Sequence, residues 1–530
     1  MKIFVLGYKG MLGRYVYTYF KSKNFNVIGL SRNDINALNT DEKQLKDALC
    51  ALGLRDGDVV INCIGLIKQR TEIKNLDFIL VNSVFPRLLA NVCECENVKM
   101  FHPSTDCFLP NTKIITENGY KNIQDIIIGE NTYTHDGNIK KIYEKLSKNV
   151  QENIYKITTL GNDTIKCTKN HPWFIIKRKN KEKFDINNLN WTKTENLEIE
   201  NLIAIPKLKT LNQTIYNINL LNYSSTYKKQ IVEYEFYLNE IQNKKLNLKQ
   251  FCTTNNLTYK KILKWKSDVS IYPKVYKYSQ NLEINIETSW LLGVFLAEGW
   301  VNNNKKRKTI CISFGDEPEL IKKTVELIIN HFKVQPYLRY MKKQKCCQII
   351  FTHQLLSEML SKEFYINNEH YSDTKKIPQW INNIGEKNII SFLNGYLDGD
   401  GCFFENNKNA CLLSMSSTSE ILIDQIKILF MMLNILPNKH IVNRKPKSTI
   451  CNRIVNTKNS YELVICGKQL DKAIKYFNID SKFFNSKTRY NKFFENDKYW
   501  LVPILKIEQE YYCGKVYNLE VEDDHSYLVN

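Results

Sequence analysis

The sequence predicts a multidomain fold: an α/β fragment at the N-terminus, an all-β region after it, and an α+β insertion within that all-β region. Apolar strand patterns alternate with helical patterns through residues 1–65, whereas short alternating runs broken by turn residues begin after residue 107. Residues 290–477 contain one order of helices and strands twice. A chain of 530 residues is also too long to bury a single core.

The charge of the chain is unevenly distributed. The formal net charge is +20, and residues 1–106 contribute only 14 basic against 11 acidic side chains to it. A basic excess in the remainder favours a polyanionic partner such as nucleic acid, although an AT-rich coding sequence would also enrich lysine. The 15 cysteines include no Cys-x-x-Cys pair, and no run reaches transmembrane length. We therefore expect a soluble cytoplasmic protein with reduced thiols and no membrane partner.

The first predicted strand is followed by a glycine-rich turn. Gly7, Gly10 and Gly13 stand between this apolar run and a helical pattern. Glycines in this context let the backbone approach the pyrophosphate of a dinucleotide at the helix N-terminus. The second predicted strand ends beside Arg32, a side chain that could meet a 2′-phosphate. We interpret residues 1–106 as the N-terminal part of a Rossmann domain that binds NAD(P).

Four motifs of this fragment carry a family resemblance: residues 7–13, 60–65, 81–86 and 102–107. They resemble the extended short-chain dehydrogenases, and among these the dTDP-4-dehydrorhamnose reductase-like enzymes. The resemblance implies a sugar-nucleotide reductase in which Thr105 helps to polarise the substrate carbonyl. The family's Tyr-x-x-x-Lys proton donor lies further along such chains, and the match ends at Cys107 before reaching it. An NAD(P)-dependent reductase fragment is therefore an alternative description, and hydride transfer is not expected.

Three segments of the all-β region contain residues suited to peptide-bond chemistry. The first starts at Cys107 with Cys-Phe-Leu-Pro-Asn-Thr-Lys-Ile, the second contains Thr168-x-x-His171, and the third, near the C-terminus, contains His525. They resemble the splicing blocks of inteins in the Hint superfamily, whose fold is an all-β horseshoe. A single cysteine or histidine is more often an ordinary core residue. Three blocks in the family's order favour the splicing interpretation.

The resemblance implies autocatalytic protein splicing or cleavage that begins at Cys107. A cysteine thiol is an effective nucleophile beside a scissile carbonyl. His171 would protonate the leaving nitrogen and Thr168 would orient the peptide. His525 would assist the later proton transfers.

The implied Hint domain has its N-terminal half at residues 107–207 and a truncated C-terminal half at residues 491–530. Asn518 occupies a position where some inteins use Asp, which could alter the coupling of the splicing steps. Asn530 aligns with the asparagine of a turn rather than with the cyclising asparagine of the family. We therefore expect the reaction to stall after its first step.

The insertion contains two copies of an apolar helical run, residues 290–299 and residues 392–401, which lie 102 residues apart. Each run has an internal glycine and ends in an acid followed by glycine. In both copies a strand, a helix, a second strand and a further helix follow, and we predict the first of these helices at residues 318–332 and 419–435. Residues 286–490 thus form a tandem repeat of an αββαββα-like unit.

The repeated pattern resembles the LAGLIDADG (DOD-type) homing endonucleases. Internal glycines let two helices pack closely, so acids at their ends meet at a pseudo-twofold axis, where paired carboxylates can hold divalent cations against phosphates. The resemblance implies that Glu298 and Asp400 are the catalytic metal ligands, for Mg2+, and that Asp398 is not one. It further implies that Lys376 stabilises charge at this site.

The endonuclease resemblance also implies a partner. The family cuts double-stranded DNA, and the expected target is the intein-less reductase gene, cut by a single chain acting as a monomer. A non-cutting DNA-binding remnant is one alternative. A pair of ordinary buried helices with acids at their ends is another.

Residues 208–285 are interpreted as a linker with a possible helix-turn-helix. Apolar residues between positions 246 and 265 have the spacing of two short helices, with Thr258, Lys260, Lys261 and Lys264 free to face DNA. A plain connector of two helices explains the same pattern.

Overall fold

The computed structural model describes most of the chain and divides it into two compact units, Met1–Thr105 and Asp106–Asn530. The described residues are 1–65, 77, 80–101, 107–117, 119–178, 185–209, 215–242, 247–254, 256–260, 262–263, 278–304, 307–341, 345–405, 411–444, 447–450, 453–477, 493–524 and 526–530. Within these ranges no helix has the length and apolar character needed to cross a membrane.

The first unit alternates strands and helices. Its elements are β1 (Ile3–Leu6), α1 (Met11–Ser22), β2 (Val27–Leu30), α2 (Glu42–Ala51), β3 (Val59–Asn62), a π-helical turn (Leu80–Val84), α3 (Phe85–Cys95) and β4 (Lys99–Phe101). The four strands form a parallel sheet in the order β2-β1-β3-β4. All four residues of β1 are buried, as is typical of a central parallel strand. The predicted strand, turn and helix at the N-terminus are therefore observed.

The second unit begins with a β-rich segment. Its strands are β5 (Lys113–Thr116), β6 (Gly119–Asn122), β7 (Asn131–Tyr133), β8 (Ile139–Thr159), β9 (Ile165–Cys167), β10 (Pro172–Ile176), β11 (Asn190–Lys193) and β12 (Leu202–Pro206). Their pairings are antiparallel. The predicted change of architecture after residue 107 is thus present in the structure.

The insertion follows β12, and two final strands follow the insertion. The elements are β13 (Asn217–Asn219), α4 (Ser225–Gln242), α5 (Leu248–Thr254), β14 (Asn281–Glu283), α6 (Ile286–Glu298), β15 (Gly299–Asn304), β16 (Arg307–Phe314), α7 (Pro318–Phe332), β17 (Tyr337–Met341), β18 (Cys346–Phe351), α8 (Gln354–Glu363), α9 (Glu386–Asp400), β19 (Gly401–Glu405), β20 (Cys411–Ser417), α10 (Glu420–Met432), β21 (Asn438–Val442), β22 (Lys447–Ile450), β23 (Arg453–Asn456), β24 (Ser460–Cys466), α11 (Gly467–Tyr476), β25 (Phe494–Glu495) and β26 (Tyr499–Val521).

The last long strand joins the two ends of the β-rich segment. β26 runs antiparallel to β8, from Ile504 opposite Thr159 to Val521 opposite Ile142. Its first residues pair with β12. The resulting sheet has the order β11-β10-β12-β26-β8-β7-β5-β6. The chain before the insertion and the chain after it therefore build one sheet.

The two copies of the repeat have the same order of elements, from α6 to α8 and from α9 to α11. Their four-stranded sheets correspond strand by strand, as β15-β16-β18-β17 and β19-β20-β24-β21. The second copy has an additional hairpin, β22–β23. The helix predicted at residues 318–332 has these bounds, whereas the one predicted at 419–435 ends at Met432. It ends early because Asn434 adopts a left-handed conformation with φ +59°.

Part of the possible helix-turn-helix lies in the described chain. Helix α5 is followed by Asn256 in a left-handed conformation (φ +52°), and the amide of Leu257 donates to the carbonyl of Cys252 over 2.9 Å. The amide of Ile262 then donates to the carbonyl of Thr258 over 3.3 Å, which starts a second helical turn. Two of the lysines expected to face DNA, Lys261 and Lys264, lie outside the described residues. Its role in DNA binding therefore stays a prediction.

Helices α6 and α9 contact each other through their backbones. A Cβ atom on Gly293 would lie 2.0 Å from the carbonyl oxygen of Phe392, and one on Gly395 would lie 2.1 Å from that of Trp290. Even a methyl group is too large at either position. The glycines predicted to allow close packing therefore do so, and the two helix ends lie beside each other.

We expect Gly395→Ala to lower the free energy of unfolding by about 3 kcal/mol, because the methyl group must push α6 out of contact. Urea denaturation of the full chain measures this change. Gly315→Ala is the matched control, since a Cβ atom at Gly315 has no neighbour within 4 Å. Equal denaturation midpoints for the two variants would contradict the packing argument.

Candidate functional site

Two carboxylates meet where α6 and α9 end. Glu298 is the last residue of α6, and Asp400 is the last residue of α9. The chains are close enough here that a Cβ atom on Gly399 would lie 2.9 Å from Glu298 Cγ. Burial, reinforced by the negative charge of Asp400, raises the pKa of Glu298 to about 7. The helices thus bring together the two acids that the repeated motif predicts.

Asp400 ends α9 beside Glu298, and part of the residue is exposed. Burial raises its pKa to about 6, while the Lys375 ammonium and the Tyr396 hydroxyl act in the opposite direction. Carboxyls with raised pKa values side by side have a high affinity for an added positive charge. Both supply hard oxygen ligands of the kind that magnesium, manganese and calcium prefer, so the donor set fits a divalent cation.

A lysine completes this site, but it is not the one predicted. Lys375 Nζ donates to the carbonyl oxygens of Leu296 (2.7 Å) and Ala297 (2.9 Å), at the C-terminal end of α6. Burial lowers the pKa of Lys375 to about 8, against the attraction of Asp400 and Glu298. These interactions agree with the preference of cations for helix C-termini.

The structure places Lys376, the lysine predicted at this site, away from the two acids. Lys376 lies beside Glu363 instead, where its charge lowers the pKa of that carboxyl against the larger effect of burial. The reason is geometric: Lys375 and Lys376 are neighbours in an extended segment, so their side chains point to opposite sides. The sequence motif identifies the pair of lysines, but it does not show which of the two side chains points toward Glu298 and Asp400.

Asp398, which the sequence excluded as a ligand, is occupied elsewhere. Its Oδ2 accepts a hydrogen bond of 2.7 Å from Trp290 Nε1, and its side chain is exposed. Lys323 Nζ lies over the Trp290 ring, 3.7 Å from its centroid, in a cation–π contact. Asp398 therefore links the two helices without joining the acidic pair.

A second site surrounds Cys107, which is buried. The backbone nitrogen of Cys107, which belongs to the Asp106–Cys107 peptide bond, donates to Thr168 Oγ1 over 3.2 Å. In return the amide of Thr168 donates to the carbonyl of Cys107 over 3.0 Å. Thr168 thus holds the nitrogen that would leave if this bond broke. Asp106 itself lies outside the described residues.

His171 lies close to the same segment. Its ring packs against that of Phe108 with centroids 4.1 Å apart, and its backbone amide donates to the carbonyl of Thr168 over 3.2 Å. Its Nδ1 atom is buried and has no partner among the described residues. Burial lowers the pKa of His171 to about 3, so the imidazole is neutral at neutral pH.

The predicted residue His525 lies outside the described part of the chain, but its neighbours are placed. Ser526 Oγ lies 2.8 Å from His135 Nδ1, and the Tyr527 hydroxyl donates to Asn518 Oδ1 over 2.6 Å. His135 is a residue that sequence reasoning missed. A His-Asp-Gly sequence indicates a turn between strands and nothing more, so only the tertiary contact with Ser526 identifies His135.

Asn530 pairs with β5 rather than with the Cys107 segment. Its amide donates to the carbonyl of Lys113 over 3.0 Å, beside a bridge between Ile114 and Val529. Its side-chain oxygen accepts from the Tyr120 hydroxyl over 3.2 Å. The role of Asn530 in splicing therefore stays a prediction.

A third site lies in the first unit. A groove of about 480 Å³ is lined by Gly7, Gly10 and Arg32. Gly7 has φ +74°, and a Cβ atom on Gly13 would lie 2.1 Å from the carbonyl oxygen of Gly7. Gly13 therefore packs the helix against the turn rather than lining the groove. Thr105, the expected substrate-polarising residue, lies outside the described residues.

Two groups of solved structures resemble the chain weakly. A mesophilic variant of the homing endonuclease I-DmoI is 15% identical, with a TM-score of 0.25, over 36% of this chain and 92% of that one. The full-length DUF199/WhiA protein from Thermatoga maritima is 16% identical, with a TM-score of 0.26, over 38% of this chain and 57% of that one. Similarity at this level carries no conclusion about function.

The chain spans less than half the length of the curated relatives it matches. The ATP-dependent DNA helicase Hel308 of Thermococcus kodakarensis is 25% identical over 80% of this chain and 36% of its own. An uncharacterized protein of Methanocaldococcus jannaschii is 24% identical over 80% of this chain and 49% of its own. The replication factor C small subunit of the same organism is 26% identical over 28% of this chain and 8% of its own.

Two family models match the chain. The RmlD substrate binding domain matches residues 1–135. This match extends beyond Cys107, where the resemblance of the sequence motifs to the reductases ends. Residues 107–117 and 119–135, where described, nonetheless contribute strands to the second unit. The intein splicing domain matches residues 113–530. Because that match extends over most of the 530 residues, this chain belongs to the intein splicing-domain family.

Proposed function

We propose that this chain catalyses two reactions: rearrangement of its own Asp106–Cys107 peptide bond, as the first step of protein splicing, and cleavage of double-stranded DNA by a LAGLIDADG homing endonuclease. The observation that carries the second reaction is the meeting of Glu298 and Asp400 at the ends of two helices in backbone contact. The hydrogen bond from the Cys107 nitrogen to Thr168 supports the first.

In the first reaction the thiol sulfur of Cys107 attacks the carbonyl carbon of Asp106. A carbon–sulfur bond forms, the carbon–nitrogen bond breaks, and the thiol proton is transferred to the nitrogen of Cys107. Since burial lowers the pKa of His171 to about 3, its imidazole starts neutral, and its protonated form is a strong acid toward the leaving nitrogen. It accepts the thiol proton and then delivers it to the leaving nitrogen, while Thr168 keeps that nitrogen in place.

In the second reaction Glu298 and Asp400 would hold a divalent cation, which we take to be Mg2+, and this cation would supply Lewis-acid chemistry for DNA cleavage. A bound cation lowers the pKa of water and neutralises charge on the phosphate. Glu298 and Asp400 contribute the negative charge that binds it. Lys375 is positioned to stabilise negative charge at the same place, because its ammonium is buried against the end of α6.

The positive charge of the chain supports double-stranded DNA as the substrate of the second reaction. The formal net charge is +20, of which residues 1–106 hold 14 basic against 11 acidic groups, so the excess lies mainly in the second unit. Contacts between lysine or arginine and phosphates give affinity for DNA. The preferred target is the uninterrupted gene of the reductase-like fragment, cut by one chain acting as a monomer. The NAD(P) groove of the first unit is assigned to the host enzyme and not to either reaction.

We expect thiol to release residues 1–106. Dithiothreitol intercepts the thioester at Asp106, so a fragment should accumulate over hours on gel electrophoresis. Thr168→Ala should slow the release about tenfold, which corresponds to loss of one positioned hydrogen bond. Cys107→Ala should abolish it. Thiol-dependent release that persists in Cys107→Ala would assign the nucleophile elsewhere.

Glu298→Gln and Asp400→Asn should each abolish cutting of a plasmid that carries the fused reductase site, while DNA binding in a gel-shift assay changes little. Asp398→Asn is the matched control, since it removes an acid from the same helix but not from the pair. Cutting that survives in Asp400→Asn contradicts the assignment. Binding without cutting by the unmodified chain would instead favour the non-cutting remnant.

The same acids predict a dependence of stability on pH. Their pKa values in the folded chain, about 7 and about 6, lie above the ordinary values of 4.5 and 3.8. The metal-free folded state therefore binds more protons than the unfolded state, and its stability falls as pH rises from about 4 to about 8. Glu298→Gln should raise the melting temperature of the metal-free chain at pH 8. A lower melting temperature would refute the electrostatic argument.

Lys375→Met should slow DNA cutting by at least about a hundredfold, because a buried charge beside the two acids is lost. Lys376→Met is the control and should cut at nearly the unmodified rate. Initial rates on one plasmid at saturating magnesium compare the two. The opposite order of rates would restore the original motif-based assignment.

A further inference from the structure

The turn between β8 and β9 contacts the insertion through its backbone. Gly161 in this turn has φ +70°, and a Cβ atom on it would lie 2.2 Å from Asn438 Oδ1. The amide of Lys439 donates to the carbonyl oxygen of Gly161 over 2.9 Å. The turn therefore fits against β21 with no space for a side chain.

Six charged side chains close the same contact. We call them the interdomain charge cluster: Lys113 and Asp163 from the β-rich segment, and Glu420, Asp424, Lys427 and Lys439 from the insertion. Lys439 Nζ lies 2.7 Å from Asp163 Oδ2 and 2.7 Å from Asp424 Oδ1. Lys113 Nζ lies 2.6 Å from Glu420 Oε1 and 2.5 Å from Asp424 Oδ2. The cluster therefore contains three lysines and three acids.

The three acids of the cluster are close enough together to hold a metal ion. Two lysine ammonium groups already lie among their oxygens, however, and between them they form ion pairs with all three acids. A cation would have to displace both. The geometry therefore indicates an ion-pair network between two domains and not a metal site.

Lys427 extends the network to the end of the β-rich segment. Its Nζ donates to Asn162 Oδ1 over 2.6 Å and to Asn530 Oδ1 over 3.3 Å. Asn530 Nδ2 in turn donates to Asp163 Oδ2 over 2.9 Å. The Lys427 side chain is 1% exposed, although it carries a charge. One residue of the insertion thus holds both the turn and Asn530.

The turn is directly connected to the splicing residues. Strand β9 follows it and pairs with β8 from Ile165 opposite Ile157 to Cys167 opposite Tyr155. Thr168 is the next residue, and it holds the nitrogen of Cys107. A cavity of about 100 Å³ beside His171 is also lined by Lys427. Displacement of the turn would therefore be transmitted along a three-residue strand to the site.

We propose that the endonuclease domain is a positioning component of the splicing site, acting through Lys427 and Lys439 on the turn at residues 160–164. This inference rests on the proposed reaction at Cys107. Loss of the insertion's lysines would leave Asp163, whose side chain is 26% exposed, with Lys113 at 3.8 Å in place of Lys439 at 2.7 Å, so its carboxylate would lose its nearest lysine partner. The two lysines are positioning residues and do not take part in either reaction.

The test uses the full chain and the rate of thiol-induced release of residues 1–106. Lys427→Met should slow release about tenfold or more, and Lys427→Arg, which keeps the charge, should recover most of that loss. Lys458→Met is the matched control, because Lys458 lies in the same repeat as Lys427 but forms its ion pair with Asp373, outside the cluster. DNA cutting should be unchanged in all three variants.

A second measurement separates positioning from general stability. In chain labelled with ¹⁵N-histidine, the His171 signal is identified by its loss in His171→Gln. It should shift in Lys427→Met and return in Lys427→Arg. If the unmodified chain releases nothing, the proposed reaction at Cys107 is wrong, and the His171 signal alone decides the coupling.

Two results would overturn the inference: an unchanged release rate together with an unchanged His171 signal in Lys427→Met, or equal slowing in Lys458→Met. If Lys427→Met does not fold, as judged by loss of DNA cutting, Glu420→Gln replaces it. The side chain of Glu420 is 35% exposed, so this change perturbs the cluster at its edge. Release and signal in that variant should change in the same direction, and no change in either would also overturn the inference.

Discussion

The backbone contact between α6 and α9 is the constraint on which the insertion depends. Gly293 and Gly395 remove the side chains that would separate the helices, and a Cβ atom on either would lie about 2 Å from a carbonyl oxygen of the other helix. The two following strands and the rest of each repeat are arranged around this pair. The ends of the helices are consequently adjacent, and so are the acids that end them.

Close packing also determines the electrostatics of the acidic pair. Burial raises the pKa values of Glu298 to about 7 and of Asp400 to about 6, and lowers that of Lys375 to about 8. These shifts all have the same cause, because a low-dielectric environment penalises each charged form. A divalent cation would relieve the repulsion between the acids. The same arrangement that destabilises the metal-free chain would therefore favour metal binding.

The β-rich segment and the insertion are joined by more than the covalent chain. β26 returns to pair along the length of β8, and the interdomain charge cluster connects the turn after β8 to α10 and β21. Both contacts surround the segment that carries Thr168 and His171. A buried network of lysines and acids permits few arrangements of the two segments, because each buried charge needs an oppositely charged partner.

Local patterns determined much of this protein: the glycine-rich turn of the first unit, the tandem repeat with helix α7 at its predicted bounds, and the acids Glu298 and Asp400. These features depend on periodicity and spacing, which a sequence contains directly. Tertiary structure alone decided that Lys375 rather than Lys376 turns toward the acids, that His135 contacts Ser526, and that β26 pairs with β8. It also decided that Lys113 and Asp424, far apart in the chain, share one network. Such contacts arise from the folding of distant segments onto each other, and no local pattern encodes which distant charge or strand will be the partner.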